Sequence, residues 1–156
     1  MNEGFGAYGT IHWVLKDEYG NVKQDVTTQN TITDYHDAVM AAQMNNSSGS
    51  LIAFIAFGKT AFSSGSDAET GMNVGFQGDS REQVSRVTAA GANDNDVVCT
   101  HTVPAGNFTG TIEEAGLFLT SAASDMMCYA YKPDVDINKG ASDSLAVTWT
   151  ITYGAS

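Results

Sequence analysis

The chain is poor in cations, in proline and in cysteine, and each shortage excludes something. Seven Lys and Arg stand against 18 Asp and Glu, a net charge of −11. A surface so acidic repels phosphate backbones and anionic headgroups, which argues against nucleic acid or a membrane as partner. The two cysteines, Cys99 and Cys128, read as buried small hydrophobes rather than as a bridge. Two prolines among 42% apolar residues speak for a packed chain rather than a disordered one. No apolar run reaches the length of about 18 residues that a membrane helix needs. The opening MNEGFGAYGT has neither the basic region nor the apolar stretch of a signal peptide, so folding in the cytoplasm is expected.

What is present is alternation. The 156 residues suffice for one domain, 1–156, and no repeat or linker divides them. A chain of this size buries roughly 68–70% of its unfolded surface, so neither metal nor disulfide is required. In TIHWVLK (10–16), Ile11, Trp13 and Leu15 share one face, with Thr10, His12 and Lys16 on the other. DEYGN (17–21) carries turn chemistry and VKQDVTT returns as the partner strand, making a hairpin. TITDYHDAVMAAQM (31–44) breaks the pattern. Thr33 can cap, Asp34 and Asp37 suit a first turn, and Tyr35, Ala38, Val39 and Ala42 recur at helical spacing. This predicts a helix at about residues 33–44.

LIAFIAFG (51–58) is apolar on both faces, as in a central strand covered on each side, here by the helix. A long Gly- and Ser-rich stretch follows (59–80), and REQVSRVT after it fits a short helix or a strand. DVVCTHTV, NFTGTIEE, AGLFLT, MMCYAYK and DVDINK then read as strands. SLAVTWTITY (144–153) alternates most clearly, with Leu145, Val147, Trp149, Ile151 and Tyr153 on one face. The expected fold is mainly β, an antiparallel β-sandwich or flattened barrel with one α-helix.

Several residues invite a chemical reading. Glu113 and Glu114 are adjacent carboxylates, but neighbours on a strand point to opposite faces and cannot flank one bond. Continuing the pattern from Phe108 and Ile112 puts Glu114 on their apolar face, unless a bulge intervenes near Ala115–Gly116, and a carboxylate there needs backbone N–H groups or an arginine, Arg81 or Arg86. Cys99, His101 and Cys128 lack the paired spacing of zinc ligands. His12 and His36 read as surface positions. DVDINKG (134–140) fails as a calcium loop, with Lys139 at the sixth position and Leu145 at the twelfth. Alternation describes it better, Val135 and Ile137 inward and Asp134, Asp136 and Asn138 outward. NDND (93–96) reads as a polar turn. No nucleophile elbow, phosphate loop or metalloprotease helix is present, so no catalytic residue, metal or cofactor is expected.

Four segments in order carry a resemblance: GTIHWVLKDEYGNV, QNTIT running into a helix, GTIEEAGLF, and INKGASDSLAVTWTITY. Together they resemble small structural proteins of tailed bacteriophages, with an N-x-I-T helix start, an E-x-G-L-F strand and a closing K…D-x-L-x-V-x-W-x-I strand. The resemblance covers most of the chain outside 59–80, and departs from the pattern at GFQGDSREQVSRV, where a plain L-x-x-E-x-x-R would stand. It implies a decoration (cement) protein on the capsid exterior, or a piece of a tail fibre or collar, without catalytic residues. The implied partners are the major capsid protein and further copies of the chain as a homotrimer. MNEGFGAY, GAS and the 59–80 stretch would make many contacts, and Trp13, Trp149, Glu114, Arg81 and Arg86 would hold the frame. The chain closes soon after its last core strand, which favours decoration over a fibre. A carbohydrate-binding β-sandwich using Tyr8, Phe62 and Phe76 is a further reading, and an acid–base hydrolase the weakest.

Overall fold

The computed structural model describes residues 6–44, 51–60, 69, 71–72, 74–75, 80–88, 95–122, 124–132 and 134–154. In chain order these form β1 (Ala7–Lys16), β2 (Val22–Ile32), α1 (Asp34–Met44), β3 (Phe54–Thr60), β4 (Val74–Gly75), β5 (Glu82–Gln83) and β6 (Ser85–Thr88). They continue with β7 (Asp96–Val103), β8 (Gly110–Ile112), β9 (Glu114–Phe118), β10 (Met126–Tyr131), β11 (Ile137–Lys139) and β12 (Ser144–Tyr153).

The β1–β2 hairpin forms where the turn chemistry places it. Asp17 Oδ1 accepts from the Tyr19 and Asn21 backbone N–H groups at 2.9 and 2.8 Å, and Gly20 takes a φ of 85° that a side chain would strain. Both strands then pair antiparallel, Ile11 opposite Thr28 and Trp13 opposite Val26. Ile11, Trp13 and Leu15 are fully buried, as period two requires.

All strand pairings among the described residues are antiparallel, and the main sheet runs β4-β3-β9-β10-β2-β1-β12-β7-β6. The two ends nearly meet. β5 pairs with β3 while β6 pairs with β7, and between them the Val84 N–H donates to the Ala53 carbonyl at 3.0 Å. The fold is thus mainly β with one helix among the described residues, a large antiparallel sheet nearly closed into a flattened barrel. REQVSRVT is the strand segment that brings the ends together. Trp13, Trp149, Leu145, Val147 and Ile151 fill the interior with Phe57, Phe108 and Leu117.

Three boundaries differ from the sequence reading. β2 runs through Ile32, so the break in the β pattern comes after residue 32 rather than at 31: Thr31 and Ile32 pair with Tyr129 and Cys128, and the helix follows Thr33 as expected. DVDINK is a strand only at 137–139, because the Asp134 and Val135 N–H groups are taken by the Tyr131 carbonyl in a turn. NFTGTIEE is interrupted twice, by Phe108 at a φ of 46° and by a break at Glu113 between β8 and β9.

The helix also presents another face. Tyr35, Ala38 and Ala42 are exposed, while His36 is 1% exposed and Val39 packs against the core. α1 lies against β10 rather than covering β3. Thr33 fixes this position. Its Oγ1 accepts from the His36 N–H at 3.3 Å as an N-cap and donates toward the Met126 and Met127 carbonyls. Thr33→Ala should lose both the cap and the tie to β10, lowering stability by about 1–2 kcal/mol in urea unfolding, with Thr33→Ser retaining most of it.

Candidate functional site

β9 is buried on both faces, and this decides the fate of the acidic pair. Ala115 and Leu117 point into the barrel. Phe118 points the other way, into a second apolar layer with Ala56, Met126 and Tyr129, edged by Phe54, Met72 and Tyr131. Glu114 shares the Phe118 face by alternation. The break at Glu113 therefore shifts the phase, and Glu114 lies opposite the side that Phe108 and Ile112 occupy.

Glu114 is fully buried and its Oε2 accepts from the Tyr129 hydroxyl at 2.7 Å. Gly58, its neighbour across the ladder, leaves the room, since a Cβ there would collide with Glu114 Oε1. Arg81 is turned elsewhere. It donates to Asp125 Oδ1 at 2.8 Å and to the Thr120 carbonyl at 2.7 Å, with its guanidinium 3.6 Å from the centre of the Phe118 ring. This ion pair is nearly buried on both sides, at 8% and 4% side-chain exposure, and Asp125 Oδ2 also accepts from the Thr120 N–H. Arg86, the other arginine expected beside Glu114, is exposed on β6 opposite Cys99. Glu113 faces outward to Lys132 at 2.9 Å.

The two tryptophans carry buried donors that find acceptors on β2. Trp13 Nε1 donates to Thr28 Oγ1 at 2.9 Å, and Trp149 Nε1 to Asn30 Oδ1 at 3.1 Å. His36, read from the sequence as a surface residue, is a core group. Its Nε2 shares a 2.9 Å hydrogen bond with the Tyr153 hydroxyl, and the two rings stack. His12 is exposed beside Asp25. Tyr8 is 52% exposed, whereas Phe62 and Phe76 lie outside the described residues, as do most of 59–80 and the ends of the chain.

No cluster of three or more His, Cys, Asp or Glu groups capable of holding a metal occurs among the described residues. Cys99 and Cys128 are both free and buried. Burial pushes the Cys99 thiol up to about 11, against the pull of Arg86, and pushes Cys128 well above the usual thiol range. Tyr153 is pushed up to about 12, chiefly by burial. Lys139, named in the sequence only for breaking a calcium-loop pattern, is 2% exposed, and its Nζ has no hydrogen-bond partner among the described residues. Burial lowers its pKa, and Asp143 opposes this. Extending the alternation of Val135 and Ile137 by one step would have found it.

Compared with models of known protein families, with curated proteins and with solved structures, the chain matches none.

Two outcomes are expected. Glu114→Ala removes the acceptor of the Tyr129 hydroxyl and opens a cavity, lowering stability by about 2–4 kcal/mol, whereas Glu113→Ala removes a partly exposed pair worth about 0–1 kcal/mol. Gly58→Ala should cost about 1–3 kcal/mol alone and much less in the Glu114→Ala background, a coupling that a double-mutant cycle in urea reads directly.

A third outcome concerns alkaline pH. The unfolded chain releases the Cys99 proton near 9 and the folded chain near 11, so the stability this thiol contributes is intact below 9 and lost toward 11. Tyr153 repeats the loss between 10 and about 12. Lys139 works in the opposite sense, because the folded chain gives up that proton first. The thiols and the phenol outnumber it, so stability should fall above about pH 9, and Cys99→Ala should flatten the slope by at most about 1.4 kcal/mol per pH unit. Equal slopes for the two proteins would show that Cys99 does not titrate in this way.

Proposed function

We propose that the chain is a non-enzymatic structural protein of a bacteriophage virion, a decoration protein that binds the outer capsid surface as a homotrimer and stabilises the shell. One observation carries this reading. The residues of the ordered motif set are the ones engaged in buried contacts of the frame. Asn30 receives the Trp149 indole N–H, Thr33 caps α1 and ties it to β10, and Glu114 is held by Tyr129 above Gly58. Lys139 and Asp143 lie buried at the approach to β12, Asp143 accepting from Lys23 and from the Gly140 N–H. A resemblance lodged in the frame belongs to a protein that acts through its shape and surface.

The surface suits that role. The net charge of −11 keeps a protein needed at high concentration soluble and turns it away from packaged nucleic acid. The β1–β2 hairpin exposes Tyr19, Val22 and Val26, apolar groups available to a neighbouring subunit. A trimer on a three-fold position engages three equivalent surfaces at once, which multiplies affinity by about 10²–10⁴. Binding to the assembled shell in preference to free subunits then stabilises the shell by mass action.

The test uses particles made with and without this protein. A decoration protein is present in amounts comparable to the capsid protein, and its removal lowers thermal and osmotic stability. A few copies confined to the tail, with shell stability unchanged, would assign it to the fibre or collar instead.

A further inference from the structure

Beneath α1, at one end of the barrel, an open apolar cleft of about 160 Å³ lies between Met40, Ile52, Val97, Met127 and Tyr153, with Leu51 and Arg86 at its margin. Met127 and Ile52 form a buried floor, and Leu51 stands 62% exposed. The Tyr153 hydroxyl is occupied by His36 Nε2, so that wall presents its ring and not a free donor. A cavity of about 150 Å³ with apolar walls holds one benzene-sized group. The volume thus matches a single aromatic or branched aliphatic side chain.

The cation at the margin gives the cleft its second half. Four of the seven Lys and Arg are paired or buried, Lys23 with Asp143, Arg81 with Asp125, Lys132 with Glu113, and Lys139 in the interior. Arg86 has no ion pair or hydrogen bond among the described residues. In register it stands opposite Cys99, so its side chain leaves the sheet on the side of the barrel interior, toward the cleft it lines. In a chain of net charge −11 this is a local site where an anion is welcome, and the guanidinium fork fits a carboxylate.

We propose that the cleft is a docking pocket for a partner protein, taking one aromatic or branched aliphatic side chain while Arg86 binds a carboxylate immediately beside it. This rests on the reading of the chain as a surface-binding structural protein, and it names the chemistry of the segment bound. The apolar group supplies affinity through burial, and the carboxylate supplies orientation, since it is met on one side of the cleft only.

The experiment uses the full chain with methyl-labelled methionine, the Met40 and Met127 signals reporting from the cleft wall and floor. N-acetyl-phenylalanine, its primary amide and acetate serve as probes. The acid is expected to shift both methyl signals saturably, with a half-saturation about two- to five-fold below that of the amide, as an exposed ion pair provides. Arg86→Gln, an exposed substitution, should erase the difference between acid and amide and leave the amide unchanged. Three results would overturn the proposal: no saturable shift with the acid, equal binding of acid and amide, or acetate acting as well as the acid. A Met127 shift that follows protein concentration alone would make a second copy of this chain the occupant, and also overturns it. Each outcome is read on the isolated protein, so failure here leaves the virion reading to its own test on particles.

Discussion

Two indole N–H groups lie in the middle of the barrel, and a buried donor left without an acceptor costs about 1–3 kcal/mol. β2 supplies both acceptors, Thr28 for Trp13 and Asn30 for Trp149. The second bond reaches past an intervening strand, because β1 separates β12 from β2. It is possible because Gly9, paired with Asn30, has no side chain, and a Cβ there would collide with Asn30 Oδ1. A slip of one residue between β1 and β2 would turn both acceptors away from the interior. The indoles therefore select the register of the strands around them, while their rings fill the space those strands enclose.

The same arrangement recurs on the other side of the barrel. Glu114 and Gly58 stand opposite one another as Asn30 and Gly9 do, a polar side chain lying over a glycine on the next strand. Here the polar group lies in the outer apolar layer, where Tyr129 satisfies it. That layer is finished by Arg81, which covers the Phe118 ring and neutralises Asp125. β9 can be apolar on one face and carry a carboxylate on the other because each face has its own cover.

How much of this was legible follows from what period two can report. Alternation found Ile11, Trp13 and Leu15 on β1 and Leu145, Val147, Trp149 and Ile151 on β12, since those strands are regular along their length. It misjudged Glu114 because the phase resets at Glu113, where the chain passes from the β8–β11 pair into the main sheet, and no residue type announces such a reset. Helical spacing found α1 but misjudged its buried face, for another reason. The buried positions include a histidine, and an imidazole that finds a partner in Tyr153 looks polar until that partner is known. The cleft beside Arg86 was invisible for the same cause, being assembled from α1, β6, β7, β10, β12 and the segment before β3.

The buried lysine bears on how motif and function divide. An ammonium without a hydrogen-bond partner among the described residues destabilises the fold it sits in, because burial disfavours its charged form. Asp143 offsets part of this from nearby, and Asp143 is itself tied to β2 through Lys23 and to the turn through the Gly140 N–H. The K…D spacing thus joins β11, the turn before β12 and the start of β2 in one charge arrangement. Removing Asp143 alone would leave two cations there without their shared anion, so change at one position is penalised until others change with it. Exposed positions such as Tyr19 and Val22 show no such side-chain coupling among the described residues. They can vary singly at little cost in stability, which leaves partner choice to the surface while the buried polar contacts keep the barrel in register.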